Sequence, residues 1–133
     1  MARMIRNSLL IILILKLGTA FAQDSLYYIT PDATIDQAPI DVKLNQPFII
    51  KLRSCHDCGC HWNIEKYDTV NVKLITVRSK NVNGKEDWIG GEVFEFWKFI
   101  GVQVGTYYLE FVQKGPGRDP KEYGRFKFEL WVN

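Results

Sequence analysis

Residues 125–132 read Arg-Phe-Lys-Phe-Glu-Leu-Trp-Val. Phe126, Phe128, Leu130 and Val132 alternate with Arg125, Lys127, Glu129 and Trp131. Successive side chains of an extended chain point to opposite sides. This period of two therefore predicts a strand with one apolar and one mostly polar face. The same pattern recurs upstream. Phe48, Ile50 and Leu52 alternate with Ile49, Lys51 and Arg53, and Tyr107, Leu109 and Phe111 alternate with Tyr108, Glu110 and Val112. Val70 to Ser79 is rich in β-branched residues, which favour strands. Glu92 to Ile100 is aromatic-rich, as if both faces were partly covered, and Cys60 to Glu65 forms a short strand around Trp62. Leu26 to Thr30 and Ile40 to Leu44 read as edge pieces, with Pro31, Pro39 and Pro47 at their ends, where proline is tolerated.

Turn signals separate these segments. They are Asn83-Gly84, Gly90-Gly91, the Gly101 and Gly105 pair, and Gly115-Pro116-Gly117. No stretch of the mature chain holds a helical period of 3.6. Seven to eight short, mostly antiparallel strands predict an all-β, immunoglobulin-like β-sandwich. Trp62, which follows a loop into a strand, is expected in its core, and Trp97 in the core or half-buried. Trp131, on the polar face of its strand, is expected to cover the neighbouring sheet surface.

The composition agrees. The 133 residues are 47% hydrophobic and 24% charged, which excludes disordered and low-complexity classes. The N-terminus reads as an address. Arg3 and Arg6 precede the apolar run Leu9 to Leu15, and Ala20-Phe21-Ala22 is a small-x-small cleavage site. Residues 1–22 are expected to be a secretory signal peptide and residues 23–133 a single domain, secreted or periplasmic. Removing Arg3, Arg6 and Lys16 takes the 17 basic residues to 14 against 15 acidic ones, a net charge of −1. That balance predicts no nucleic-acid partner and no membrane partner after signal removal.

The densest chemistry is Ser54-Cys55-His56-Asp57-Cys58-Gly59-Cys60-His61-Trp62, a loop between two predicted strands. Three readings compete. Cys55, Cys58, Cys60 and His61 are soft metal ligands, although such sites usually draw a second pair from a distant segment. Redox chemistry or a local disulfide is the second reading. A Cys-x-x-Cys redox site depends on a helix N-terminus, which this loop does not predict. In a plain disulfide Cys55 can pair with Cys58 or with Cys60, and either choice leaves one thiol over. The third is a recognition loop rigidified by that disulfide. Catalysis is poorly supported. The only histidines, His56 and His61, share this loop, and neighbouring strand residues such as Cys60 and His61 face opposite ways. No phosphate loop or carboxylate pair stands out. The chain is not expected to be an enzyme, and no cofactor is expected.

With these pieces in order, residues 38–133 resemble the chagasin family of papain-like cysteine-protease inhibitors. That family's first loop reads Asn-Pro-Thr-Thr-Gly with Trp shortly after. Here Cys55-His56-Asp57-Cys58-Gly59 and Trp62 stand there, and Gly59 and Trp62 match. Its second loop reads Gly-x-Gly-Gly. Here Trp88-Ile89-Gly90-Gly91 keeps the last two glycines. Its third loop reads Arg-Pro-Trp. Here Gln113-Lys114-Gly115-Pro116 lacks the tryptophan. Gly105-Thr106 and the final strand also fit the family pattern.

The resemblance implies a monomeric proteinaceous inhibitor whose three loops block the cleft of a papain-like cysteine protease. The contacts implied are Cys55, His56, Asp57, Cys58, Gly59, Cys60, Trp62, Trp88, Ile89, Gly90, Gly91, Gln113, Lys114, Gly115 and Pro116. Cys58 and Gly59 would sit deepest, Trp88 would pack on the rim in place of the lost tryptophan, and Lys114 would meet acidic groups. A Cys55–Cys60 disulfide would replace the stiffness that proline gives the family's loop, and the odd thiol would be free to form a mixed disulfide with the target's catalytic cysteine. The rival expectation is a relative whose loop has become a metal-binding or protein-binding module. A structural or adhesive role stands third.

Overall fold

The computed structural model describes residues 25–29, 38–55, 57–82, 84 and 91–133. The expected leader, residues 1–22, lies outside them. The described residues form eight strands: β1 (Ser25–Ile29), β2 (Ile40–Val42), β3 (Pro47–Cys55), β4 (His61–Lys66), β5 (Val72–Asn81), β6 (Glu92–Gly101), β7 (Gly105–Lys114) and β8 (Glu122–Val132). They pair into two four-stranded sheets, ordered β1-β3-β6-β5 and β2-β8-β7-β4. This is the expected immunoglobulin-like sandwich. The two expected edge pieces are edge strands, and each joins its sheet in parallel, β1 to β3 and β2 to β8. The remaining pairings are antiparallel.

The alternation read from the sequence becomes burial. On β3, Phe48, Ile50 and Leu52 are fully buried, and on β8 Phe126, Phe128, Leu130 and Val132 face them from the other sheet. Phe111 of β7 lies between the layers. Trp97 meets it edge-on at 5.1 Å between ring centroids, and Phe128 stacks on it at 5.9 Å. Fully burying a side chain of this size contributes about 1.5–3 kcal/mol.

β6 is covered on both sides. Val93, Trp97 and Phe99 point into the core, while Phe94 and Phe96 are half-buried on the outer face, where the Lys51 ammonium sits 3.7 Å from the Phe94 ring centroid. Trp131 is 44% exposed, and its indole N–H donates to Glu129 at 2.6 Å. The register places one end of the sandwich unambiguously. Cys55 pairs with Glu92, Asn81 with Val93, His61 with Lys114, and Lys114 with Glu122. The β3–β4, β5–β6 and β7–β8 connections therefore leave from the same end.

Candidate functional site

The first of these connections is held from below by buried polar groups. Ser54, 2% exposed, donates its hydroxyl to the Cys60 carbonyl at 2.5 Å, and the Cys60 N–H donates to the Cys55 carbonyl at 3.1 Å. Trp62 follows into the core, as expected, and stacks on Phe126 at 5.1 Å. Its indole N–H donates to the Arg53 carbonyl at 2.8 Å, which ties the outgoing strand to the incoming one.

Between these anchors the chain makes a tight turn. Cys55 and Cys58 are joined by a disulfide with Cα atoms 5.4 Å apart. This settles the pairing that spacing leaves open, and it is not the Cys55–Cys60 bond the resemblance suggested. A ring this short removes little entropy from the unfolded chain, so its effect is on loop shape. The Cys58 N–H donates to Cys55 Sγ at 3.3 Å. Gly59 then adopts φ +63°, a left-handed conformation that glycine enters without steric cost. That reversal sends Cys60 inward, 4% exposed, with its free thiol donating to the Cys58 carbonyl at 3.6 Å.

Alternation turns the next residue outward. The His61 side chain is 57% exposed, with Nδ1 3.9 Å from Glu95 Oε1. Cys60 and His61 thus face opposite ways, as strand geometry requires. The four-ligand set Cys55, Cys58, Cys60 and His61 does not assemble: two members are bonded to each other, and the other two diverge. Among the described residues no group of three His, Cys, Asp or Glu side chains is placed to hold a metal.

Sequence reading missed the group that organises this end of the core. Glu95 is 4% exposed. It accepts from the Trp62 backbone N–H at 3.4 Å and from the Trp97 indole at 3.2 Å. A carboxylate in such a place needs donors to offset its lost hydration. Its signal was present: Glu95 falls in phase with Val93, Trp97 and Phe99 on the apolar face of β6. Ser54 likewise falls in phase with Phe48, Ile50 and Leu52.

The third connection is closed by the Gly115 N–H donating to the Lys121 carbonyl at 2.9 Å. Gln113 and Lys114 are the last two residues of β7, half-buried, and the turn proper begins at Gly115. Tyr123 lies across Gly115 so closely that a Cβ there would come within 2.6 Å of its ring, yet Tyr123 is 58% exposed. Pro116 leans onto the first loop, where a Cβ on Gly59 would sit 3.1 Å from the Pro116 Cβ. First and third loops are therefore in contact.

Behind the third loop, Arg125 makes two hydrogen bonds to Glu122 at 2.9 and 3.0 Å and also pairs with Glu65 and Glu110. These bonds hold the Glu122 carboxyl below its usual range and the guanidinium above its own.

The second connection is described at its ends. Gly84 and Gly91 have φ +67° and +95°, and Glu92 pairs with Arg53 across the sheet. His56, Trp88, Ile89 and Gly90, four of the expected contact residues, lie outside the described residues. Of the others, Asp57, Cys58 and Pro116 are exposed, Cys55, Gly59 and Gly91 are half-buried, and Cys60 and Trp62 are buried beneath them. Among the described residues the arrangement offers a braced edge of loops and a disulfide.

The family model described as "Chagasin family peptidase inhibitor I42" matches residues 41–132. No curated protein matches the chain by sequence. Among solved structures, the cysteine protease inhibitor EhICP2 from Entamoeba histolytica superposes with a TM-score of 0.66 at 20% identity, covering 87% of this chain and 100% of that one. Amebosin superposes with a TM-score of 0.61 at 16% identity, covering 84% of this chain and 100% of that one. PbICP-C, solved in complex with falcipain-2, gives a TM-score of 0.48 at 16% identity, over 88% of this chain and 95% of that one.

Proposed function

The chain belongs to the chagasin family of peptidase inhibitors, and from that membership we propose that it inhibits papain-like cysteine proteases by inserting the three loops at one end of the sandwich into the active-site cleft. The observation that carries this reading is the bracing of the first loop: a disulfide at its tip, buried hydrogen bonds at its base, and Pro116 of the third loop against Gly59. A loop already ordered in its bound shape loses less conformational entropy on docking, where each immobilised side chain otherwise costs about 0.5–1.5 kcal/mol.

Its action is steric. Cys58 and Gly59 enter deepest, and the wedge excludes water and substrate from the catalytic residues. Trp88, to which sequence gives the part of the lost third-loop tryptophan, lies outside the described residues, and Tyr123 supplies an aromatic beside the third loop itself. Tyr123 is large, exposed and seated on a glycine, the character of an interface anchor. Lys114 faces acidic groups of the cleft, and Trp88 with Gly90 and Gly91 contributes from the second loop. In this reading the protein is an inhibitor and carries out no catalysis of its own. The basic n-region, apolar run and Ala20-Phe21-Ala22 support export of residues 23–133 as one domain.

Titration of papain with the purified protein tests the proposal. Stoichiometric, tight inhibition that competes with substrate is expected. Full protease activity at micromolar excess, with and without reductant, overturns it.

A further inference from the structure

We infer that the Cys55–Cys58 disulfide is a reactive group, and that the catalytic thiolate of a bound protease exchanges with it, so that inhibition in an oxidising medium is covalent as well as steric. The inference rests on the inhibitor reading above, because it needs the first loop in the cleft.

The position of the bond is the first support. It lies at the turn of the first loop, with Cys58 exposed and Cys55 half-buried against the end of β3. Of the two sulfur-bearing residues, Cys58 is the more open to an incoming nucleophile. The second support is the hydrogen bond from the Cys58 N–H to Cys55 Sγ at 3.3 Å. A donor aimed at a sulfur stabilises negative charge there, and thiol–disulfide exchange runs faster when the departing thiolate is stabilised. Accessibility and the leaving group therefore select the same direction of attack.

The step balances without an external oxidant. The protease thiolate attacks Cys58 Sγ along the S–S axis. A bond forms between the protease sulfur and Cys58, the Cys55–Cys58 bond breaks, and its electron pair departs on Cys55 Sγ. One thiolate is consumed and one is produced, and the disulfide is the electron acceptor. The remaining thiol, Cys60, takes no part. It is 4% exposed and directed at the Cys58 carbonyl. A mixed disulfide through the odd cysteine, the route suggested by sequence, is replaced by exchange at the bond itself.

The test mixes the purified protein with papain freed of reductant, then reads intact mass under non-reducing conditions. The expected product has the summed mass of both chains, is dissolved by reductant, and carries a new alkylatable thiol that maps to Cys55. Papain alkylated at its catalytic cysteine should give no such product. Cys58→Ser should abolish it as well. Inhibition followed in parallel separates this inference from its premise. Inhibition with an intact Cys55–Cys58 bond and no adduct overturns the inference alone. An adduct through Cys55 or Cys60 overturns the assigned direction. Neither inhibition nor adduct overturns the inhibitor reading, and the inference with it.

Discussion

Gly59 and Pro116 are in contact across two loops: the first has φ +63°, and a Cβ placed on it would lie 3.1 Å from the Pro116 Cβ. The two loops thus hold a single relative geometry at the end of the sandwich. A side chain at position 59 would strain the backbone and press on the Pro116 ring, which would have to give by a few tenths of an ångström.

Gly59→Ala is therefore expected to cost about 1–2 kcal/mol of stability. It should also weaken protease binding by about tenfold or more, since 1.4 kcal/mol corresponds to a factor of ten. Pro116→Ala removes the ring carbons beyond Cβ, trimming the brace without touching the φ angle at Gly59, so its effect should be smaller. The two substitutions should couple in a double-mutant cycle, because the residues share one contact. Additive effects on binding would show that the loops act independently.

Glu95 links the core to the first loop through Trp62 and Trp97. Glu95→Leu leaves the Trp62 backbone N–H and the Trp97 indole N–H without this acceptor. Each buried group so orphaned costs about 1–3 kcal/mol. A lowered denaturation midpoint with an unchanged m-value is expected in urea unfolding. Glu95→Gln keeps one acceptor oxygen and should lose less. Unaltered stability in both variants would remove Glu95 from its organising role.

Tyr123 is not one of the buried core residues and is 58% exposed. Tyr123→Ala should leave stability within about 0.5 kcal/mol of the parent, as surface changes usually do. Binding to the protease should fall by about tenfold or more if the ring is an anchor, because truncated anchors commonly cost about 2 kcal/mol or more. Inhibition constants measured for parent and variant decide the matter. Equal constants would place Tyr123 outside the contact.

At the opposite end of the sandwich, Asp68 organises the β4–β5 turn. It accepts from the Asn71 side chain at 2.8 Å and from the Asn71 and Val70 N–H groups at 3.0 and 2.9 Å. These bonds, the Asn71 side chain foremost, hold its carboxyl below the ordinary Asp range. A depressed carboxyl stabilises the fold fully above its unfolded pKa of about 3.9, and that contribution is lost as pH falls through the lower folded value. Asp68→Asn should therefore lower the melting temperature at pH 7, and the gap to the parent should close towards pH 2. Protease inhibition at neutral pH should not change, since this turn is remote from the loops. A gap that persists undiminished in acid would refute the pH assignment.

The strands were legible because alternation is a local property. Phe126, Phe128, Leu130 and Val132 announce their face whatever they pack against, and Trp62 announces a core position because a large ring after a loop has little else to do. Edge strands were legible from the prolines at their ends. Family resemblance in loop order then placed the candidate site.

The cysteine pairing was not legible. Cys55 can reach either partner by spacing, and the choice depends on where β3 releases the chain, how Gly59 turns it, and which way Cys60 must face once Ser54 has bonded its carbonyl. Glu95 and Ser54 left a trace as polar residues on apolar faces, but their meaning came from donors on other strands. Tyr123 left none. The role proposed for it depends on lying over Gly115, a juxtaposition created by the β7–β8 turn.

Period-two patterning and turn residues are encoded within a few neighbours along the chain, so they yielded the sandwich and its buried tryptophan. The disulfide choice is made inside one loop by the geometry of its turn. The burial of Glu95 and the contact of Gly59 with Pro116 arise between segments distant in sequence. They are set by the register and stacking of two sheets, which bring those groups within bonding distance only when the whole domain has closed.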